Sequence, residues 1–318
     1  MERKFLESMF NIRETEPTKA DLAFMSRACV QATFPHSDPG DVPIWCRTNG
    51  NLTLSIKPDY GIDTKTGKPR NVGLPYGTVC RLLMFWITTE AVKTKSRRIE
   101  LGESLAAFMR ELEIVPTGGR WGTIPRLRDQ MNRLFRARIS FDIKHSSTGE
   151  NNHAWVDMQV APKGELWWSY DAPKSRTLWK SWIELGELFF EAICSAPIPL
   201  DMRALKALRK SPLALDLYAW LSYRTFIVTK KGQEGVFISW KNLAAQFGSD
   251  YSDISNFKKH IKKVIKKVLF VSPNAHLEFV DGGIVLYPKN SESIRTKDQN
   301  KKTPILPLDD GQIRAVPI

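Results

Sequence analysis

Residues 254–271 read ISNFKKHIKKVIKKVLFV, and this stretch predicts the fold around it. Its apolar residues recur at intervals of three and four, which places them on one stripe of a helix. The stripe consists of Ile254, Phe257, Ile261, Val264, Ile265 and Val268. Six lysines lie between the edges of the stripe and its far side, and no glutamate interrupts them. Because a merely solvated helix usually mixes glutamate with lysine, the pattern predicts one face that packs and another that contacts an anion.

The residues on either side of this helix predict a winged helix. A shorter helix is expected over residues 240–247 with Ser239 as its N-cap, and Asp253 or Ser252 can cap the lysine helix. Residues 275–288 contain two alternating runs joined by an Asp-Gly-Gly turn, which is typical of a β-hairpin. In a winged helix the second helix enters the major groove and the hairpin flanks it. A two-helix packing unit that binds no nucleic acid is the alternative for this pattern.

The same order of elements is expected earlier in the chain. Helices are predicted over residues 104–112 and 124–138, and alternating runs over residues 139–145 and 153–161 predict a hairpin. The second of these helices is basic, and its predicted packing stripe is Leu127, Met131, Leu134 and Phe135. The glycine-rich turn between the helices lacks the GxxxxGK[ST] string of a phosphate-binding loop, so it indicates a tight turn. The repeat is one of layout and not of residues.

The remaining segments carry weaker signals. A helical pattern covers residues 20–34, an Asn-Gly hairpin is expected around Gly50, and an apolar core helix follows Gly77. Two helices are expected on either side of Ser211-Pro212, and tryptophans are frequent in residues 163–182. Clustered tryptophan can stack on bases, but buried packing between domains is the interpretation we favour.

Composition narrows the class of protein. The 318 residues include 47 Lys and Arg against 34 Asp and Glu, which gives a formal charge of +13 and favours a polyanionic partner. Charge alone does not distinguish nucleic acid from an anionic membrane surface. No apolar run has the length of a transmembrane helix, and no signal-peptide core is present at the start, so a cytoplasmic protein is expected, and we expect no membrane partner. The four cysteines lie far apart and are interpreted as buried free thiols.

The sequence offers no catalytic constellation. The five histidines are isolated from one another, so a His-x-His metal pair for DNA nicking is missing. The only adjacent carboxylates, Asp309-Asp310, lie in a polar tail that we expect to be disordered. We therefore expect no enzyme activity, no metal and no cofactor.

The predicted fold class is α+β, with two tandem winged-helix domains that have helical cores and β-hairpin wings. Residues 1–20 form an N-terminal arm and residues 21–165 the N-terminal domain. Residues 166–288 form the C-terminal domain, and residues 289–318 form a disordered basic and polar tail.

Several strings, taken in order, resemble the plasmid-encoded RepA family of replication initiators. They include the pattern Pro43-x-Trp45-x-Arg47-x-x-Gly50, the run from LPYGTVCRLLMFW to TGGRWG, IPLDMRALKAL, SPLALDLYAWLSYR and VDGGIVLYP. The resemblance covers residues 21–288. It implies a bacterial, plasmid-associated protein that binds direct repeats (iterons) in double-stranded origin DNA. It also implies origin opening with the host helicase and host initiator, a homodimer in equilibrium with the monomer that pairs through the N-terminal domain, and repression of its own gene.

The resemblance and the helix patterns together select fourteen candidate DNA-binding residues. They are Arg120, Arg126, Arg128, Arg133, Arg136, Arg138, Ser255, Asn256, Lys258, Lys259, Lys262, Lys263, Lys266 and Lys267. A transcriptional repressor that never opens an origin is the main alternative, and a DNA-nicking enzyme is disfavoured by the missing metal ligands.

Overall fold

The computed structural model describes residues 2–63, 66–102, 107, 109–110, 112–115, 117, 119, 122–147, 150–166, 181–248 and 253–289. The helices of these residues are α1 (Glu2–Glu14), α2 (Arg27–Gln31), α3 (Gly77–Thr94), α4 (Thr123–Arg136), α5 (Glu187–Cys194), α6 (Met202–Leu208), α7 (Pro212–Lys230), α8 (Trp240–Phe247) and α9 (Ile254–Phe270). The predicted mixture of helix and sheet is confirmed.

The strands form small antiparallel sheets. They are β1 (Leu22–Ser26), β2 (Trp45–Asn49), β3 (Leu52–Lys57), β4 (Tyr60–Ile62), β5 (Pro69–Asn71), β6 (Arg98–Glu100), β7 (Arg138–Ser147), β8 (Glu150–Gln159), β9 (Lys163–Glu165), β10 (Trp182–Glu184), β11 (Pro197–Asp201), β12 (Val236–Ser239), β13 (His276–Val280) and β14 (Gly283–Tyr287). The strand orders are β1-β11, β4-β5, β6-β10-β9, β2-β3-β7-β8 and β12-β14-β13.

The C-terminal unit has the elements that its sequence predicted. Helices α8 and α9 are followed by the hairpin β13–β14, and β12, which precedes α8, pairs with β14. Ser239 accepts a hydrogen bond from the Asn242 amide, and Asp253 accepts one from the Ser255 amide, so both expected N-caps are formed. Helix α9 packs on α7, which is buried along most of its length.

The N-terminal unit contains the basic helix α4 and the hairpin β7–β8, as predicted. Its sheet is built differently from that of the C-terminal unit. Here β3 pairs with β7, so the hairpin β2–β3 extends the sheet on one side and β8 is left at its edge. The loop of β2–β3 has its positive φ at Gly50, the first of the two loop residues, which suits a type II′ turn.

The helix expected over residues 20–34 is wrong for its first part. Residues Leu22–Ser26 form β1, which pairs with β11 in the other half of the chain, and only Arg27–Gln31 are helical. The Phe24 amide also donates to Thr89 Oγ1 on α3 at 2.9 Å. Partners distant in sequence thus override a local helical pattern.

The N-terminal arm contains a helix, α1, that packs on α6. Helix α1 buries Ile12 and is held by Arg203, whose guanidinium donates to Asn11 Oδ1 at 2.9 Å and to Thr15 Oγ1. Arg203 is itself paired with Asp201 at 2.7 Å. The arm is therefore joined to α6 of the C-terminal half.

A buried ion pair joins the two halves at their centre. Arg81 on α3 contacts both carboxylate oxygens of Asp216 on α7, at 2.8 and 2.7 Å, and also donates to the Phe34 and Pro35 carbonyls. His36 Nε2 lies 2.8 Å from Asp216 Oδ2. Burial raises the pKa of Asp216, but Arg81 and His36 outweigh it and hold that pKa below its usual range.

A second polar contact joins β2 to α8. Buried Arg47 donates to the Gln246 carbonyl and, at 3.2 Å, to Thr33 Oγ1. The Gln246 side chain in turn donates to the Gln31 carbonyl at 3.0 Å. The apolar core is continuous across both halves, so the boundary proposed near residue 165 separates units that share one interior and stays a prediction.

Two of the four cysteines are not buried as expected, and three predicted segments lie wholly or largely outside the described residues. Of the four cysteines, Cys29 and Cys80 are buried, but Cys194 is half-buried, and Cys46 is exposed because its side chain lies on the face of β2 opposite the buried Arg47. The tail after Lys289, most of the tryptophan-rich connector and most of the helix expected over residues 104–112 lie outside the described residues.

We predict that Arg81→Leu lowers the free energy of unfolding by about 3–5 kcal/mol, because it leaves the buried Asp216 carboxylate uncompensated. Urea denaturation followed by circular dichroism measures this. Arg98→Leu removes an exposed pair with Glu100 and a contact with the Trp182 ring, and should cost about 1–2 kcal/mol at most. Equal losses for the two variants would contradict the role given to Arg81.

We further predict that stability falls as pH decreases through about 6.5. Burial lowers the pKa of His36 despite its bond to Asp216, so the folded protein holds His36 neutral while the unfolded chain takes up a proton. The unfolded state then binds more protons, and the free energy of unfolding drops by at most about 1.4 kcal/mol per pH unit. Urea denaturation at pH 7.5, 6.5 and 5.5 should show a shallower pH dependence for His36→Asn than for the wild type.

Candidate nucleic-acid interface

Helix α9 presents a lysine surface above a packed stripe. Phe257, Ile261, Val264, Ile265 and Val268 are buried as predicted. The predicted contact residues Ser255, Asn256, Lys259, Lys262, Lys263, Lys266 and Lys267 are exposed, and Lys258 is half-buried. In the described part of the chain, none of these lysines makes an ion pair with a carboxylate. The surface is thus a row of uncompensated positive charge.

One member of the predicted stripe is placed wrongly. Ile254 has 45% of its surface exposed. It is the first residue of the helix and lies beyond the end of the core, so the apolar pattern began one turn too early.

Two of the lysines have neighbours within the protein. The Lys262 ammonium lies 5.1 Å from the centre of the Trp240 ring and 5.8 Å from that of Phe279, and these two rings stack on each other. Lys262 therefore joins α9 to the start of α8 and to the hairpin through cation–π contacts. Lys267 lies 5.0 Å from the ring of Phe5 on α1.

A glycine allows the hairpin β13–β14 to lie close to β12. A side chain at Gly283 would place its Cβ 2.2 Å from the Ile238 carbonyl oxygen, so only glycine permits β14 to lie this near β12. Gly282, with a φ of +80°, forms the turn before it. Both glycines therefore help the hairpin to pack against β12, the strand that precedes α8.

Helix α4 has a different distribution of charge. Its stripe, Leu127, Met131, Leu134 and Phe135, is buried as predicted. Arg126, Arg136 and Arg138 are exposed and Arg128 is half-buried, whereas Arg120 lies outside the described residues. Arg136 is paired with Asp59, and Arg138 lies 3.6 Å from Asp157. Arg126 stands in the first turn of α4.

Arg133 was expected on the outer face but is largely enclosed, with 17% of its side chain exposed. Its guanidinium pairs with Asp129 at 2.9 Å, donates to the Leu74 carbonyl at 3.2 Å and lies over the Tyr76 ring. A Cβ at Gly73 would come within 2.7 Å of it. Arg133 therefore holds residues 73–76 against α4.

A group of cations that the sequence pattern did not predict lies at the end of α6. Lys206 and Arg209 are half-buried and share the Glu113 carboxylate at 3.0 and 3.5 Å, and Lys210 is exposed. The string KALRKSP contains them, but its basic character does not predict where these residues lie in the fold. Among the described residues, no cluster of metal-binding side chains occurs and no helix has the length and hydropathy to cross a membrane.

The chain was compared with known proteins. A family model described as plasmid encoded RepA protein matches residues 74–242, which is more than half of the chain. No curated protein matches. A solved structure titled "Crystal structure of the RctB domains 2-3" aligns with 82% of this chain and 95% of its own, at 10% identity and a TM-score of 0.47. A likeness at that score carries no argument about function.

We predict opposite behaviour for two arginines of α4. Arg133→Gln should lower the free energy of unfolding by about 1.5–3 kcal/mol, because it removes charged hydrogen bonds at a largely enclosed site. Arg126→Gln should leave it unchanged within about 0.5 kcal/mol, as is usual for a surface residue. Thermal and urea denaturation measure both. A larger loss for Arg126 would show that the roles are reversed.

Proposed function

This chain belongs to the family of plasmid encoded RepA proteins, and from that premise we propose that it initiates plasmid replication by binding direct repeats in the origin through two winged helices. The family supports the initiator role in general. The winged-helix assignment, the repeats and the individual contact residues are our proposals.

The lysine surface of α9 is the observation that carries the proposal. A helix with a buried apolar stripe displays a row of lysines without acidic partners among the described residues, and its Lys262 contacts Phe279 of the hairpin. Lysines on such a surface bind phosphates and release counterions from DNA. We assign Lys259, Lys263 and Lys266 to phosphates or base edges.

We propose α4 as the second reading helix. Arginine can donate two hydrogen bonds to guanine O6 and N7, and the exposed Arg126 is suited to such a contact. Because one helix carries lysines and the other carries arginines, the two units would read different sequences. A monomer would then cover an asymmetric site of about 20 bp, with the two helices about 10–10.5 bp apart, and such sites would be repeated head to tail.

Pairing of two copies would use the N-terminal sheet. Strand β8 stands at the edge of that sheet, and Trp155 on it has 68% of its surface exposed. An edge strand offers backbone groups to a second strand, so β8 can join its counterpart in a dimer. We propose that the dimer represses the gene of the protein and that the monomer opens the origin and recruits the host helicase and host initiator.

A repressor that never opens an origin is the second candidate. It would also use winged helices, but it would need one inverted repeat and not tandem repeats. A nicking enzyme is less well supported, because the described residues contain no group of side chains that could hold a metal. The test is replication of a plasmid that carries only the origin, with the protein supplied in trans. Failure to replicate, with operator binding intact, would favour the repressor.

We predict that replacement of Lys259, Lys263 and Lys266 by alanine reduces the slope of log K against log[salt] by about three units on duplex DNA, roughly one unit for each lysine that no longer binds a phosphate. Fluorescence anisotropy with a labelled 30-bp duplex measures the slope. Replacement of Lys230 and Lys231, exposed lysines at the far end of α7, is the control and should have little effect. An unchanged slope in the triple variant would exclude α9 as the DNA-binding helix.

A further inference from the structure

The cations at the end of α6 lie between the two basic helices. A cavity of about 570 Å³ is lined by Arg209, Lys210 and Glu113 together with Arg126 of α4. A second cavity of about 670 Å³ is lined by the same Arg209, Lys210 and Glu113 together with Lys267 of α9. Three residues are therefore common to a cavity that reaches α4 and a cavity that reaches α9.

These cations differ in how much of their positive charge is balanced by acidic partners. Lys206 and Arg209 share the carboxylate of Glu113, and the Arg209 guanidinium also donates to the Lys206 carbonyl at 2.6 Å. Lys210 is exposed and makes no ion pair within the part of the chain that the structure describes. Arg203 lines the second cavity but is engaged by Asp201. Glu7 also lines the second cavity, so Lys206, Arg209, Lys210 and Lys267 face two acids there and still leave a local excess of positive charge.

We propose that Lys206, Arg209 and Lys210 bind the sugar–phosphate backbone where it passes between the two major grooves entered by α4 and α9. The inference rests on the proposed function, because it assumes that both helices contact the same duplex. The two cavities share Arg209, Lys210 and Glu113, so a backbone that follows them from Arg126 to Lys267 passes Lys206, Arg209 and Lys210, which we call the ridge. The contact is electrostatic and carries no base preference.

Glu113 has a defined part in this arrangement. Its carboxylate holds Lys206 and Arg209 in place while no DNA is bound, and its own backbone has the unusual φ of +53°. A phosphate that approaches these cations meets the negative charge of Glu113 at the same time. Glu113 therefore limits the affinity of the ridge for DNA of any sequence.

The test uses the full chain and a fluorescein-labelled 30-bp duplex of random sequence in a series of NaCl concentrations. Lys206→Gln with Lys210→Gln should reduce the slope of log K against log[NaCl] by about two units, because two lysines no longer bind phosphates. Lys230→Gln with Lys231→Gln removes the same charge from the opposite end of α7, roughly 28 Å away along the helix, and should leave the slope unchanged. Circular dichroism confirms that each variant is folded.

Glu113→Gln is expected to change the affinity for DNA in the opposite direction. It removes an acid beside the phosphate path and should raise the affinity for the same duplex at least about twofold. If Lys206 and Arg209 only hold the fold together, Glu113→Gln will instead leave affinity unchanged or lower it, and the inference is overturned.

The outcomes separate this inference from the proposed function. A reduced slope in the α9 triple-lysine variant, with an unchanged slope in the Lys206 and Lys210 variant, would overturn the ridge contact alone. Absence of any salt-dependent binding by the wild-type protein would overturn both. Equal effects of the ridge variant and the Lys230 and Lys231 control would show that only net charge matters, and that result would also refute the inference.

Discussion

The two basic helices are connected through one buried interaction, the ion pair of Arg81 with Asp216. Arg81 lies on α3, which packs against α4, and Asp216 lies on α7, which packs against α9. Buried ion pairs often add little stability compared with apolar packing, but they permit few alternative arrangements, because an unpaired buried charge is costly. We therefore regard this pair, with His36 beside it, as the device that fixes how α3 meets α7.

The basic charge is distributed in two distinct ways. Arginines of the N-terminal unit, such as Arg133 and Arg136, are paired with acids that hold them in defined positions. The exposed lysines of α9 have no acidic partners among the residues described, and their flexible side chains can reach many phosphates. We therefore expect α9 to contribute salt-dependent binding to phosphates and α4 to contribute hydrogen bonds of defined direction. Net charge alone does not predict this difference.

The sequence predicts what depends on neighbours in the chain. The buried stripes of α4 and α9 follow from periodicity, and the caps Ser239 and Asp253 from local hydrogen bonding. Contacts between distant residues could not be predicted. The strand β1 overrides a helical pattern because β11 pairs with it, and Arg47 is buried because Gln246, 199 residues away, receives its hydrogen bond. Arg133 was expected outside because its helical position was known while the loop that covers it was not.

Dependence on contacts between distant residues also explains why the ridge at the end of α6 could not be predicted from the sequence. Lys206, Arg209 and Lys210 are unremarkable as a basic string, and their significance comes from the helix that follows them. Helix α7 begins at Pro212, with its cap Ser211 bonded to the Ala214 amide, so Lys210 immediately precedes a rigid start. Asp216 lies only about one turn further along, where Arg81 holds it. The element that positions the ridge is thus also the element that fixes α3 relative to α9. A change that loosens Asp216 should therefore disturb the proposed phosphate contacts of Lys206, Arg209 and Lys210 and the spacing of α4 and α9 together.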